Sequence, residues 1–272
     1  MNQIKTLLLT EYQKRKSSYW WPVWIIAGLI GLSLIALLVA IIVDSPNIVM
    51  NGGAGEGAMG LRIGMYGVMF SFGIIFLAFT GMGAQTSLNR ERQLGSDLFF
   101  RCQPASVWKV TGVKYFMHVY ASSILLLGVG LIFAIAMAIV SAFYIDGFYL
   151  GQALYGTFLG WLNYLKLILV FGSLCYLLSA IFKNNALLKG AAALGILEGL
   201  FAIIEAIFRH TVEMPDVFVT LGKMVGNMGL DEIDTVNMGM VMGDYRILFG
   251  LLFASFCYVS GTLIYQLRAK DV

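Results

Sequence analysis

Three ionisable side chains stand where lipid-compatible residues are expected: Lys166, Glu198 and Glu205 each fall inside a long apolar run. A charge at mid-membrane costs about 2.5–3.5 kcal/mol on insertion scales, so such groups face a cavity, a partner or one another. Glu198 and Glu205 are seven residues apart, on one helix face and about 10 Å along the axis. Measured from the ends of their runs, Lys166 lies about 24 Å deep, Glu205 about 27 Å and Glu198 about 17 Å. Those depths allow a Lys166–Glu205 pair and leave Glu198 for a substrate path. The alternative puts Lys166 and Glu205 near an interface, with Trp161 and Tyr164 in an aromatic belt.

No other group of residues assembles a reaction. The only histidines, His118 and His210, fall on opposite sides of the apolar runs, and no G-x-x-x-x-G-K-[ST], H-E-x-x-H or nucleophile elbow occurs. No catalytic residues are assigned, and the reading is of a chain that is not itself an enzyme. Cys102, Cys175 and Cys257 have neither disulfide nor metal-ligand spacing. Six of the 14 methionines lie in the stretch 209–244. Thioethers are soft copper ligands, but methionine is also a flexible apolar filler; packing is the reading adopted, with no metal site assigned.

The most informative polar segment is Leu88-Asn89-Arg90-Glu91-Arg92-Gln93-Leu94-Gly95-Ser96-Asp97-Leu98-Phe99-Phe100-Arg101. As a helix over about 90–101 it aligns Leu94 and Leu98, with Phe99 alongside, and leaves Arg90, Arg92, Gln93 and Asp97 polar. Pro104 then ends regular structure. A short helix with two or three apolar anchors suits a groove in a soluble partner; it also suits a position flat on the membrane.

Six apolar stretches must position these residues: 20–43, 63–86, 117–143, 153–182, 187–208 and 245–267. Each reaches the roughly 20 residues that a membrane-crossing helix needs. Hydrophobic residues are 59% of the 272 and charged ones 12%, which excludes an ordinary soluble domain. The fold class expected is therefore an all-α polytopic membrane protein with six transmembrane helices. The first run is too long for a signal h-region, is preceded by Lys5, Glu11 and Lys14–Lys16, and ends at Asp44-Ser45-Pro46; it is expected to remain as a span.

Residues 1–19 are expected as an interfacial helix, with Ile4, Leu7, Leu8 and Tyr12 at helical spacing and the Lys14–Lys16 run near anionic headgroups. An unstructured basic tail is the alternative. Residues 20–272 are expected as one six-span transmembrane domain, with 209–244 as an outer segment of one or two short helices. Six spans place both termini with the loops near 87–116 and 183–189, on the side holding 13 of the 18 basic residues. By the positive-inside rule this side is cytoplasmic and the protein lies in the cell (inner) membrane. The formal charge of +3 thus reports topology and gives no indication of a nucleic-acid partner. Gly60/Gly64, Gly156/Gly160 and Gly195/Gly199 are small-xxx-small pairs expected to let helices approach closely.

Glu91, Gly95-Ser96-Asp97-Leu98, Pro104 and Lys114 before a new span together resemble the signature between spans two and three of two-component ABC exporter permeases. These are the six-span permeases of drug, peptide, lipid and polysaccharide export, and the likeness of layout extends over essentially the whole chain. It implies a coupling helix that docks a separate ATPase subunit, with Glu91, Gly95, Asp97, Leu98 and Pro104 in that role and Leu94 and Phe99 of the apolar stripe beside them as docking anchors. ATP and Mg would be bound by that subunit, with no cofactor in this chain. It also implies pairing with a second permease copy or a paralogue. Phe99, Phe100 and Cys102 are bulkier than the family pattern. The few polar groups in the spans favour an amphipathic or lipid-like substrate, moved by alternating access. Two other classes fit the residues: a non-transporting ABC module acting on a periplasmic partner through 209–244, and a secondary transporter or scaffold without an ATPase.

Overall fold

The structure, a computed structural model, describes residues 3–42, 54–90, 106–144, 147–207 and 245–268. Within them the chain is helical and has no strand. The elements are α1 (Gln3–Ile42), α2 (Ala54–Gln85), α3 (Val107–Tyr115), a π-helical turn (Phe116–Tyr120), α4 (Ala121–Tyr144), α5 (Leu150–Ile181), α6 (Ala186–Ile207) and α7 (Tyr245–Arg268).

Among the described residues, five stretches are long and apolar enough to cross a membrane: Gly57–Gln85, Val107–Ala142, Leu150–Ile181, Ala186–Glu205 and Ile247–Arg268. The protein is therefore a multi-pass membrane protein. Helices are the solution because in hydrocarbon every backbone N–H and C=O must be paired within its own segment. The amino-terminal stretch and the first apolar run, expected as two elements, form the single helix α1. At about 1.5 Å per residue it is about 60 Å long, twice the hydrocarbon thickness. Pro22 lies within it; lacking an N–H, proline leaves the carbonyl four residues earlier without its helical donor.

α5 is the centre of the bundle. Its apolar window is 67% buried, against 6% for that of α6. Ile168, Leu169 and Tyr176 of α5 are fully buried, and the main core adds Ile26 of α1, Met69 and Phe76 of α2, Val119 of the π turn and Leu126 of α4. Gly156 and Gly160 let α2 come in close: a methyl on Gly160 would lie 2.6 Å from Met69 Cβ and 3.2 Å from the Tyr66 carbonyl oxygen. One on Gly156 would lie 3.1 Å from Met65 Cβ and nearer still to the Arg62 carbonyl. This pair behaves as the small-xxx-small spacing predicts. Gly60/Gly64 and Gly195/Gly199 meet no neighbouring helix among the described residues of this chain.

Candidate functional site

The ABC-type docking residues expected from the sequence, Glu91, Leu94, Gly95, Asp97, Leu98, Phe99 and Pro104, lie outside the described residues. The anchorage on either side of them is described. After α2 the chain turns through Thr86–Leu88, where Ser87 Oγ donates to the Ala84 carbonyl at 2.8 Å and lies 3.2 Å from Ser179 Oγ of α5. Asn89 Nδ2 donates to the Phe182 carbonyl at 3.4 Å, and Leu88 is fully buried. On the return, the Ser106 hydroxyl caps α3 by accepting from the Lys109 N–H at 3.4 Å. The Trp108 carbonyl accepts from Tyr258 Oη of α7 at 3.0 Å, and the two rings meet edge-on at 6.0 Å.

Two arginines close helix ends at this same end of the bundle. Arg15 of α1 donates to the Gly83 carbonyl at 2.9 Å, to Thr86 Oγ1 at 2.8 Å and to the Thr86 carbonyl at 3.0 Å. Arg268 of α7 donates to the Ala180 carbonyl at 3.3 Å and to that of Ile181. Each guanidinium adds donors to carbonyls at a helix C-terminus and complements the negative end of the helix dipole. The short link to α6 runs through Asn185, whose φ of 51° is in the left-handed region that Asn tolerates. The start of α1, both flanks of 91–105 and the ends of α5 and α7 are thus gathered together. At the opposite end the Arg62 guanidinium stands 4.3 Å from the centroid of the Tyr155 ring.

The first 19 residues do more than lie along a surface. Leu7, Leu8, Tyr12 and Tyr19 pack on Val113 and Met117, and Tyr19 Oη donates to the Met117 carbonyl at 3.1 Å. Burial pushes the Tyr19 phenol up to about 12, so it stays protonated and keeps donating. The π turn that receives this bond buries Met117, His118 and Val119. Such turns shift the phase of the following helix and recur at functional sites.

A hydroxyl and aromatic network joins α3, α5 and α7. Tyr115 Oη lies 2.6 Å from Ser173 Oγ and donates to the Ala254 carbonyl at 3.2 Å. Tyr176 Oη donates to the Thr111 carbonyl at 3.4 Å, and Thr262 Oγ1 to Thr111 Oγ1 at 3.2 Å. The Tyr115 ring meets that of Tyr176 edge-on at 5.0 Å and that of Tyr258 at 5.2 Å. The sequence analysis did not find this cluster. Its signal was the pairing of polar groups at helical spacing, Ser173 with Tyr176 and Tyr258 with Thr262 inside apolar runs and Thr111 with Tyr115 just before one.

Lys166 is 5% exposed in α5, and Tyr164 beside it is 3% exposed. Tyr164 therefore belongs to the core and not to an interfacial belt. Glu198 and Glu205 sit on α6 and are partly exposed in the single chain. Lys114, expected in the polar lead-in to a span beginning at 117, is instead buried at 1% exposure, because the membrane-length helix already begins at Val107. Among the described residues no three His, Cys, Asp or Glu side chains come together as a metal site, and the outer methionines lie outside those residues.

These contacts define a multi-pass helical membrane protein whose described polar contacts hold helices to one another. No family model, no curated protein and no solved structure matches the chain.

Proposed function

We propose that the chain is the permease subunit of an ATP-driven ABC exporter for an amphipathic or lipid-like substrate, working by alternating access with a separate ATPase. The observation that best supports this reading is the anchorage of segment 91–105. Before it, Ser87 and Asn89 hold the end of α5. After it, Thr111 and Tyr115 hold α5 again and Trp108 holds α7. A subunit bound to that segment has a direct connection to the central helix. ATP binding and hydrolysis, with Mg, in the partner would shift the bundle between two packed arrangements.

In this reading the sparsely covered α6 faces the second permease copy or paralogue, or the translocation path. Lys166 pairs with Glu205, and Glu198 meets substrate. The basic end is cytoplasmic and the protein lies in the inner membrane. The deciding experiment is co-purification from the native membrane. An ATPase should come with the wild-type chain and be lost on Leu98→Asp, and its turnover should rise with lipid or peptide. An ATPase that binds but responds only to a periplasmic partner acting on 209–244 would indicate the non-transporting module. A chain that purifies without any ATPase would indicate the secondary transporter or scaffold.

A further inference from the structure

A groove runs between the amino-terminal part of α1 and the end of α2. Its volume is about 360 Å³, and its lining includes Lys14, Arg15, Ser17, Trp21, Met82 and Arg90. That volume is in the range of small-molecule sites. Arg15 is the fixed floor, held by its three bonds to Gly83 and Thr86. Lys14 and Arg90 are exposed at the rim. Lys14 Nζ lies 3.4 Å from Glu11 Oε1, and Glu11 is itself buried at 7% exposure. Among the described residues, the groove sets three basic groups against that one carboxylate.

Its other wall is apolar and continues onto the lipid-facing surface. Trp21 is 58% exposed, Met82 48% and Trp24 68%. Tryptophan at such a position marks a membrane–water interface. On its inner side the groove adjoins a cavity of about 20 Å³ that shares Arg15, Ser18, Phe79 and Gly83 with it and ends at His118. His118 is 3% exposed, and its Nε2 has no hydrogen-bond partner among the described residues. A cavity of that size has room for one water beside this nitrogen.

We propose that the groove binds the phosphate ester of an anionic phospholipid. Lys14 and Arg90 engage the phosphate oxygens, the Ser17 hydroxyl donates to them, and Trp21 with Met82 covers the glycerol and first methylenes. The inference does not depend on an ATPase partner. A soluble phosphate ester offers the same anion without the acyl chains, and the exposed apolar wall favours the lipid.

The test is native mass spectrometry of the delipidated full-length chain, titrated with phosphatidylglycerol or with phosphatidylcholine of the same acyl chains. Inorganic phosphate and glycerol 3-phosphate serve as soluble competitors. Phosphatidylglycerol is expected to bind at least about tenfold more tightly than phosphatidylcholine. Lys14→Gln and Arg90→Gln should each weaken it about fivefold and together about thirtyfold, following the contribution of single basic residues at an anionic membrane surface. Lys109→Gln, an exposed basic residue outside the groove, should leave it unchanged. Equal binding of the two lipids, full phosphatidylglycerol binding by the double variant, or an equal loss with Lys109→Gln would overturn the site. Displacement of the lipid by either soluble competitor at matching concentration would overturn the lipid as its source.

Discussion

Arg15 and Thr86 are 71 positions apart in sequence, yet the guanidinium bonds both the hydroxyl and the carbonyl of that threonine, at 2.8 and 3.0 Å. This contact fastens α1 to the end of α2, just before the segment on which the functional proposal turns. Hydrogen bonds from a charged donor contribute about 1.5–3 kcal/mol net. Arg15→Met should therefore destabilise the detergent-solubilised protein by about that amount. Arg15→Lys should recover only part of it, because an ammonium cannot reproduce the fork of a guanidinium. Thermal unfolding of the purified variants checks both.

Gly160→Ala should be costly and Gly195→Ala close to neutral. A methyl at Gly160 meets Met69 and the Tyr66 carbonyl, whereas one at Gly195 meets open space. Overpacking of this kind costs about 1–3 kcal/mol. If Gly195→Ala leaves stability unchanged but reduces self-association in a crosslinking assay, the open face of α6 is where a second copy packs.

In a Cys102→Ser background, cysteines placed at Ser96 and Glu232 should label from opposite sides of the membrane. The residue-96 site is expected to react only with a permeant maleimide when whole cells are treated. Labelling of both from one side would break the six-span arrangement.

Leu94→Asp or Leu98→Asp should release the ATPase subunit while leaving the chain inserted, since a partner groove cannot cheaply desolvate an unpaired carboxylate. Retention of the ATPase at wild-type yield would remove the docking assignment.

A double-mutant cycle addresses the intramembrane charges. Glu205→Gln alone should destabilise more than Glu205→Gln combined with Lys166→Met, because stranding one buried charge is worse than removing both. Additive effects would mean that the two do not interact. Glu198→Gln is expected to lower transport or coupled ATPase turnover while leaving the unfolding temperature near that of wild type.

Spans were legible in the sequence because hydrocarbon solvation selects on composition and length, and the apolar runs ending near 86, 182 and 267 match helices ending at Gln85, Ile181 and Arg268. Which face of each span packs was not legible. A transmembrane helix is apolar all round, so lipid-facing and buried positions look alike, and only small or polar residues tell them apart. Gly156 and Gly160 gave that signal truly, but Gly195 and Gly199 have the same spacing and face open space. Lys114 was assigned to the polar lead-in because it is charged, whereas the helix from Val107 carries it into the bundle. The fastening by Arg15 was beyond reach for a different reason: a contact across 71 residues leaves no mark in any local pattern.

The chain on either side of residues 91–105 meets α5 on neighbouring turns, at Ser179 and Phe182 from one flank and at Ser173 and Tyr176 from the other. Under the proposed reading, a partner bound to the segment would act on α5 from both flanks. Two points of purchase transmit torque and tilt, where a single flexible tether would transmit only tension. α5 is also the helix whose residues Gly156 and Gly160 seat α2 closely, against Met65 and Met69. A rotation of α5 consequently has little slack to take up before α2 must follow.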